Sequence, residues 1–217
     1  HISVGIMSAE RIEFQMYPDG GGTRVATYRE GKIDYDGALY DELFFEEQTP
    51  STFFAEPTFE LHDVTIGKGF HWERRETQKF AGALKIIVEN NELTAINVIG
   101  VEDYLLSVIS SEMNQNSPEE FLKAHAVISR SWVMAQLAHN GKIACDAAER
   151  ESFLKCRNIE EVVTWLAMHR HSAGNESHVP EAPSGETEYI RWYDRSDHCN
   201  FDVCADDHCQ RYQGLTR

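Results

Sequence analysis

The apolar positions of the chain change period near residue 100. Before it, they alternate. Ile2-Ser3-Val4-Gly5-Ile6 and Ile12-Glu13-Phe14-Gln15-Met16 place every second side chain on one face, the pattern of a half-buried strand. Pro18-Asp19-Gly20-Gly21-Gly22 is turn material. The run from Phe80 to Val88, then Asn90-Asn91, then Leu93 to Ile99 reads as a hairpin. The stretch from Phe44 to Phe70 is aromatic-rich and irregular, and its pattern assigns no element.

After residue 100 the spacing turns helical. Tyr104, Leu105, Val108 and Ile109 recur at three to four residues and predict a helix over 101–110. A second helix starts at Ser117, with Pro118 at its first position and Glu120 completing a capping box. It runs to about Ala138 and stops at Asn140-Gly141. Phe121, Ala124, Ile128, Trp132 and Ala135 are its expected buried stripe. A shorter helix is expected from Asn158, a loop over 172–187, and a strand over Glu188–Tyr193. The predicted class is α+β in one domain. A β-rich part spans 1–98, a helical core hairpin 99–141, a probable insertion 142–187, and a strand with a Cys/His metal-binding segment 188–217.

Of the 217 residues, 41% are hydrophobic and 11% aromatic, as in a globular chain. No apolar run approaches the ~20 residues that span a bilayer, so no integral membrane segment is expected. The net charge of −16 opposes nucleic acid and anionic lipid as partners. An acidic substrate would need a local basic patch. His1 opens directly onto a strand-like run, which leaves room for an export signal removed from a longer precursor.

Glu112 is a carboxylate at the end of the first helix. Such a glutamate is most often simply solvated. A working acid needs a raised pKa, for which Met113 and the apolar helix face offer desolvation. Lys123 and Arg130 are seven residues apart on the second helix, so they share one side, roughly 10.5 Å apart along the axis. A polar face explains that pair; so does a basic stripe lining a cleft. His125 reads as a core or boundary histidine. Cys145 and Cys156 read as structural, and a second metal set from His169, His171 and His178 is a minor option.

Three of the five cysteines fall between Cys199 and Cys209, beside His198 and His208. Four ligands close a tetrahedral site, and His198, Cys204, His208 and Cys209 make a Cys₂His₂ set, with Cys199 competing for one place. A disulfide, or free buried thiols, are the alternatives. The spacing is neither a common zinc finger nor a zinc deaminase signature. No phosphate loop and no nucleophile elbow is present.

Glu102-Asp103-Tyr104-Leu105, Val108, Ser111-Glu112-Met113 and Pro118-Glu119-Glu120-Phe121-Leu122-Lys123-Ala124-His125-Ala126-Val127-Ile128-Ser129-Arg130 together resemble the central pattern of the stage II sporulation protein D (SpoIID) family, which includes the amidase enhancer LytB. The hairpin before it and Cys209-Gln210-Arg211-Tyr212-Gln213-Gly214 resemble the family as well. The resemblance implies a lytic transglycosylase acting on peptidoglycan glycan strands. It cleaves between N-acetylmuramic acid and N-acetylglucosamine and leaves a 1,6-anhydro sugar. It also implies Glu112 as catalytic acid, Lys123 and Arg130 as basic cleft residues, and a structural zinc on His198, Cys204, His208 and Cys209. The setting implied is extracytoplasmic. A non-catalytic enhancer that binds a cell-wall amidase is the alternative within the family, and a hydrolase with zinc as its active centre is another. The family's continuation after Tyr-x-Gly would lie beyond Arg217, so part of the cleft is expected there.

Overall fold

The protein is described here from a computed structural model, over residues 1–18, 22–46, 56–114, 116–139, 198–206 and 208–215. The expectations for Asp19–Gly21, Cys145, Cys156, the helix from Asn158, the histidines at 169, 171 and 178, the insertion 142–187 and the strand 188–193 lie outside the described residues. The class is α+β, as the sequence predicts: eleven strands and two helices among the described residues, with a His/Cys cluster near the C-terminus.

Two sheets form. The first runs β11 (Val203–Cys204), β1 (Ile2–Ala9), β10 (Glu92–Ile99), β9 (Ala83–Glu89), β6 (Glu42–Phe45). The second runs β5 (Ala38–Tyr40), β4 (Lys32–Tyr35), β3 (Arg24–Arg29), β2 (Arg11–Met16), β7 (Phe59–Ile66), β8 (Arg74–Phe80). The predicted hairpin is β9–β10. Asn90 and Asn91 both take positive φ, 51° and 63°, which a two-residue hairpin turn requires and asparagine tolerates. The alternating positions Ile2, Val4, Ile12 and Phe14 are buried and join Leu84, Ile86 and Leu93 in one core. Burying a side chain of this size contributes about 1.5–3 kcal/mol.

The unassigned 44–70 stretch contains β7. Its alternation is broken by a bulge between Leu61 and Val64, where Asp63 takes φ 55°. Phe59 and Leu61 face the core before the bulge, Val64 and Ile66 after it. The phase flips by one residue, which hides the strand from a period-two reading.

Helix α1 (Val101–Glu112) and helix α2 (Glu119–His139) follow β10 directly. The capping box does not form as expected: the Ser117 N–H goes to Asn114 O (2.9 Å), and Glu120 accepts from Lys123. A tight turn has already satisfied the donor that the box would have served. The buried stripe of α2 is also displaced. Phe121 is exposed and Ala124 faces solvent, whereas Ser129, Val133 and Leu137 are buried. Apolar periodicity left two adjacent stripes open, and packing buries the one through Ser129, Val133 and Leu137. Among the described residues no helix is long and apolar enough to cross a membrane.

Candidate functional site

The site is assembled by a chain segment that returns to the first sheet from far along the sequence. β11 adds to the edge of β1 in parallel, pairing Val4 with Val203 and Gly5 with Cys204. Asp202 fixes the register: its Oδ2 accepts from the Ser3 N–H (2.8 Å) and from the Ser3 hydroxyl (2.7 Å). Gly5 is required here, because a Cβ would stand 2.6 Å from the Phe201 ring.

Beyond β11 the segment turns around four potential ligands. The donor atoms of His198, Cys204, His208 and Cys209 all lie within 4.8 Å of one another. Cys209 Sγ is 3.6 Å from His198 Nε2 and 3.4 Å from His208 Nδ1, and Cys204 Sγ is 3.8 Å from His208 Nδ1. A tetrahedral ion bonded at about 2.3 Å to sulfur and about 2.05 Å to nitrogen sets sulfur and nitrogen about 3.6 Å apart. The observed spacings bracket that value, so the four side chains fit a closed metal site. The Cys204 thiol is pushed up from its ordinary value, first by its hydrogen bond with Cys209, then by burial and the second thiol's charge. Crowding of this kind is what a bound cation relieves. Cys199 is exposed and outside the cluster.

The cluster leads straight into Gln210–Leu215, which threads between the helices and the second sheet. Gln210 bridges Tyr104 Oη (3.3 Å) and Ser129 O (3.3 Å). The Gln213 N–H donates to Ser107 Oγ (3.2 Å), and the Leu215 N–H to Lys79 O (2.7 Å). Tyr212 is sealed in the core, stacked on Tyr104 and Phe80, and its hydroxyl donates to Asn97 Oδ1 at 2.6 Å. Burial pushes both tyrosines' pKa upward, so they act as neutral scaffold groups.

Glu112 stands where α1, α2 and this segment meet. Its Oε1 accepts from the Arg211 N–H at 3.0 Å. Its Oε2 lies 3.0 Å from His125 Nε2, ion-pair range, although the ring is not aligned for a hydrogen bond and Nε2 has no hydrogen-bond partner. The glutamate side chain is 25% exposed, neither in bulk solvent nor sealed. A carboxyl so held has a fixed direction and an open edge, which general acid–base work requires.

The two cations that the sequence singled out lie on α2 with other partners. Lys123 Nζ binds Glu119 (2.9 Å) and Glu120 (3.0 Å). Arg130 forms a two-point contact with Glu102, one arm at 3.0 Å. Both pKa values are raised by those hydrogen bonds. The structure thus brings Glu112 together with His125 and Arg211 rather than with Lys123 or Arg130. Sequence reading missed both new neighbours. His125 carried a readable signal, sitting four residues before Ser129 on the stripe that packs inward. Arg211, 99 residues from Glu112, carried none.

Beside the segment lies a shallow pocket against β7, lined by residues including Ile66, Gly67, Gln78, Asp206, Arg211 and Gln213. Trp72 borders it. The Arg211 guanidinium is 4.6 Å from that ring centre, and Phe70 stacks on the same ring at 5.3 Å.

An uncharacterised protein of Brachyspira hyodysenteriae (strain ATCC 49526 / WA1) is 28% identical over 87 residues, which cover 40% of this chain. The match spans 24% of that relative's length. No solved structure matches the chain. The family model described as stage II sporulation protein, SpoIID, matches residues 89–182. That span contains α1, α2 and Glu112 and ends before the Cys/His cluster. Over the segment that carries Glu112, the chain is similar to the SpoIID family.

Proposed function

We propose that this chain is a peptidoglycan lytic transglycosylase in which Glu112 serves as both acid and base. The SpoIID match supports a cell-wall-related function and peptidoglycan as substrate class. The observation that carries the reading is that the Arg211 N–H holds Glu112 beside His125 while a quarter of the glutamate side chain stays exposed.

Ordinary glycosidases use two carboxyl groups, because water must be activated or a covalent intermediate formed. Intramolecular attack needs one. Glu112 gives its proton to the glycosidic oxygen as the C1–O bond breaks. The 6-hydroxyl of the same muramic acid closes on C1, and its proton returns to Glu112. The sugar ends as a 1,6-anhydro ring, and no water is consumed. Lys123 and Arg130 would have to give up their glutamate partners before either could take a carboxylate of the strand. Zinc on His198, Cys204, His208 and Cys209 would be structural, since four protein ligands leave no open position. Those four residues, so joined, would clamp the run that delivers the Arg211 N–H. The reading implies an extracytoplasmic setting.

The test is release of anhydro-sugar ends from peptide-free glycan strands, followed by mass spectrometry. Glu112→Gln keeps the acceptor for Arg211 but cannot shuttle a proton, and it should lose activity by a factor on the order of 10²–10⁴. Equal release by both proteins would refute the reading. A second reading, an enhancer that docks a cell-wall amidase and cleaves nothing, draws on the exposed Phe121, Val127 and Met134 of α2. It predicts amidase stimulation that Glu112→Gln leaves intact.

A further inference from the structure

We propose that Phe70, Trp72 and Arg211 form a subsite for a sugar ring bearing a carboxylate, within one arginine side chain of Glu112. The proposal rests on the glycan-strand reading above and adds which side chains recognise the strand's charge.

In a chain of net charge −16, an anionic sugar needs a local cation. Lys123 and Arg130 are each engaged by glutamates. Arg211 has no carboxylate partner among the described residues; its contacts are the Glu112 carboxyl, through its backbone N–H, and the Trp72 ring. A guanidinium seated over the indole keeps its N–H groups for a two-point contact with a carboxylate.

The platform is itself built. Trp72 lies on Gly67, whose φ is +67°, and a Cβ there would come 2.1 Å from the indole. The turn is closed by Phe70 N–H to Gly67 O (3.0 Å), Glu73 N–H to Phe70 O (3.0 Å) and Gly69 N–H to Glu73 Oε2 (2.8 Å). Phe70 stacks on Trp72 at an interplanar angle of 17° and stays 50% exposed. It offers the flat apolar surface on which the C–H face of a pyranose ring packs. Gln78, Asp206 and Gln213 line the adjoining pocket and supply polar partners suited to hydroxyl and acetamido groups. An aromatic platform, a stacked cation and polar pocket walls together match an acidic amino sugar such as muramic acid.

Titration calorimetry tests this with the full chain carrying Glu112→Gln, so that strands are not consumed. The probes are peptide-free glycan fragments with free lactyl carboxylates, the same fragments with those groups converted to methylamides, and an uncharged N-acetylglucosamine oligomer. The charged fragments should bind about tenfold more tightly than the neutralised ones, the scale of one charge-assisted contact. Arg211→Gln should abolish that preference while binding of the oligomer persists. Arg211→Lys, which keeps the charge but not the fork, should retain part of it. Phe70→Ala should weaken all three probes by a similar factor. A preference that survives Arg211→Gln, no preference before substitution, or no binding of any probe overturns the proposal. If Arg211→Gln lowers the melting midpoint, Phe70→Ala decides: unchanged binding overturns the subsite. Loss of preference in a chain that forms no anhydro sugar sinks the transglycosylase reading alone. Cleavage with undiminished preference in Arg211→Gln sinks the subsite alone.

Discussion

Tyr212→Phe removes one oxygen atom and tests how the site is anchored. The Tyr212 hydroxyl donates to Asn97 Oδ1 at 2.6 Å, and both residues are almost wholly buried. The amide cannot turn to find another partner, because Asn97 Nδ2 already donates to Ala81 O (2.8 Å) and Ala83 O (3.2 Å). Phenylalanine keeps the stacks on Tyr104 and Phe80, so the loss isolates the stranded acceptor. An unsatisfied buried acceptor costs about 1–3 kcal/mol. With a urea m-value of about 2 kcal/mol/M, the midpoint should fall by about 0.5–1.5 M at unchanged m. Tyr104→Phe is the internal comparison. Its bond to Gln210 is long, 3.3 Å, so its cost should be smaller, at most about 1 kcal/mol. The reasoning is refuted if Tyr212→Phe costs under about 0.5 kcal/mol, or less than Tyr104→Phe.

Two further outcomes follow from the same geometry. Tyr17 Oη donates to Glu60 at 2.6 Å, which lowers the Glu60 pKa and, through that bond first, raises Tyr17 to about 12. A lowered acid stabilises above its unfolded value, about 4.3, and loses that contribution as pH falls through the folded one; a raised phenol stabilises below about 10 and loses it as pH climbs toward 12. The stability gap between wild type and Tyr17→Phe should therefore be flat from about pH 6 to 9 and narrow at both ends, and chemical denaturation across pH would show it. Chelation of the purified protein should lower the melting midpoint and glycan cleavage together, because Cys209 lies two residues before the N–H that holds Glu112. Loss of cleavage at an unchanged midpoint would instead mark the metal as the reactive centre.

How much of this was legible in the chain depended on whether the determining contacts are local. The β9–β10 hairpin and α1 are written in short-range periodicity and turn chemistry, and they form where expected. The Cys/His set was legible because four soft ligands fall within twelve residues, and their convergence needed only one turn. β7 was hidden by its bulge at Asp63 and β8 by the charges of an edge strand, Arg74-Arg75-Glu76. The engagement of Lys123 was readable in principle, since Glu119 and Glu120 stand four and three residues before it. Arg211 beside Glu112 and Trp72 was not, because those pairings are made by β11 docking on β1 and have no counterpart in local spacing.

The central claim is that Glu112 passes a proton between two oxygens of one sugar and that water takes no part. Digestion of peptide-free strands in water enriched in oxygen-18 addresses it most directly. New 1,6-anhydro ends should carry no heavy oxygen and be one water lighter than hydrolysis products, with none formed by Glu112→Gln. Reducing ends labelled with oxygen-18, or unlabelled anhydro ends still produced at full rate by Glu112→Gln, would contradict it.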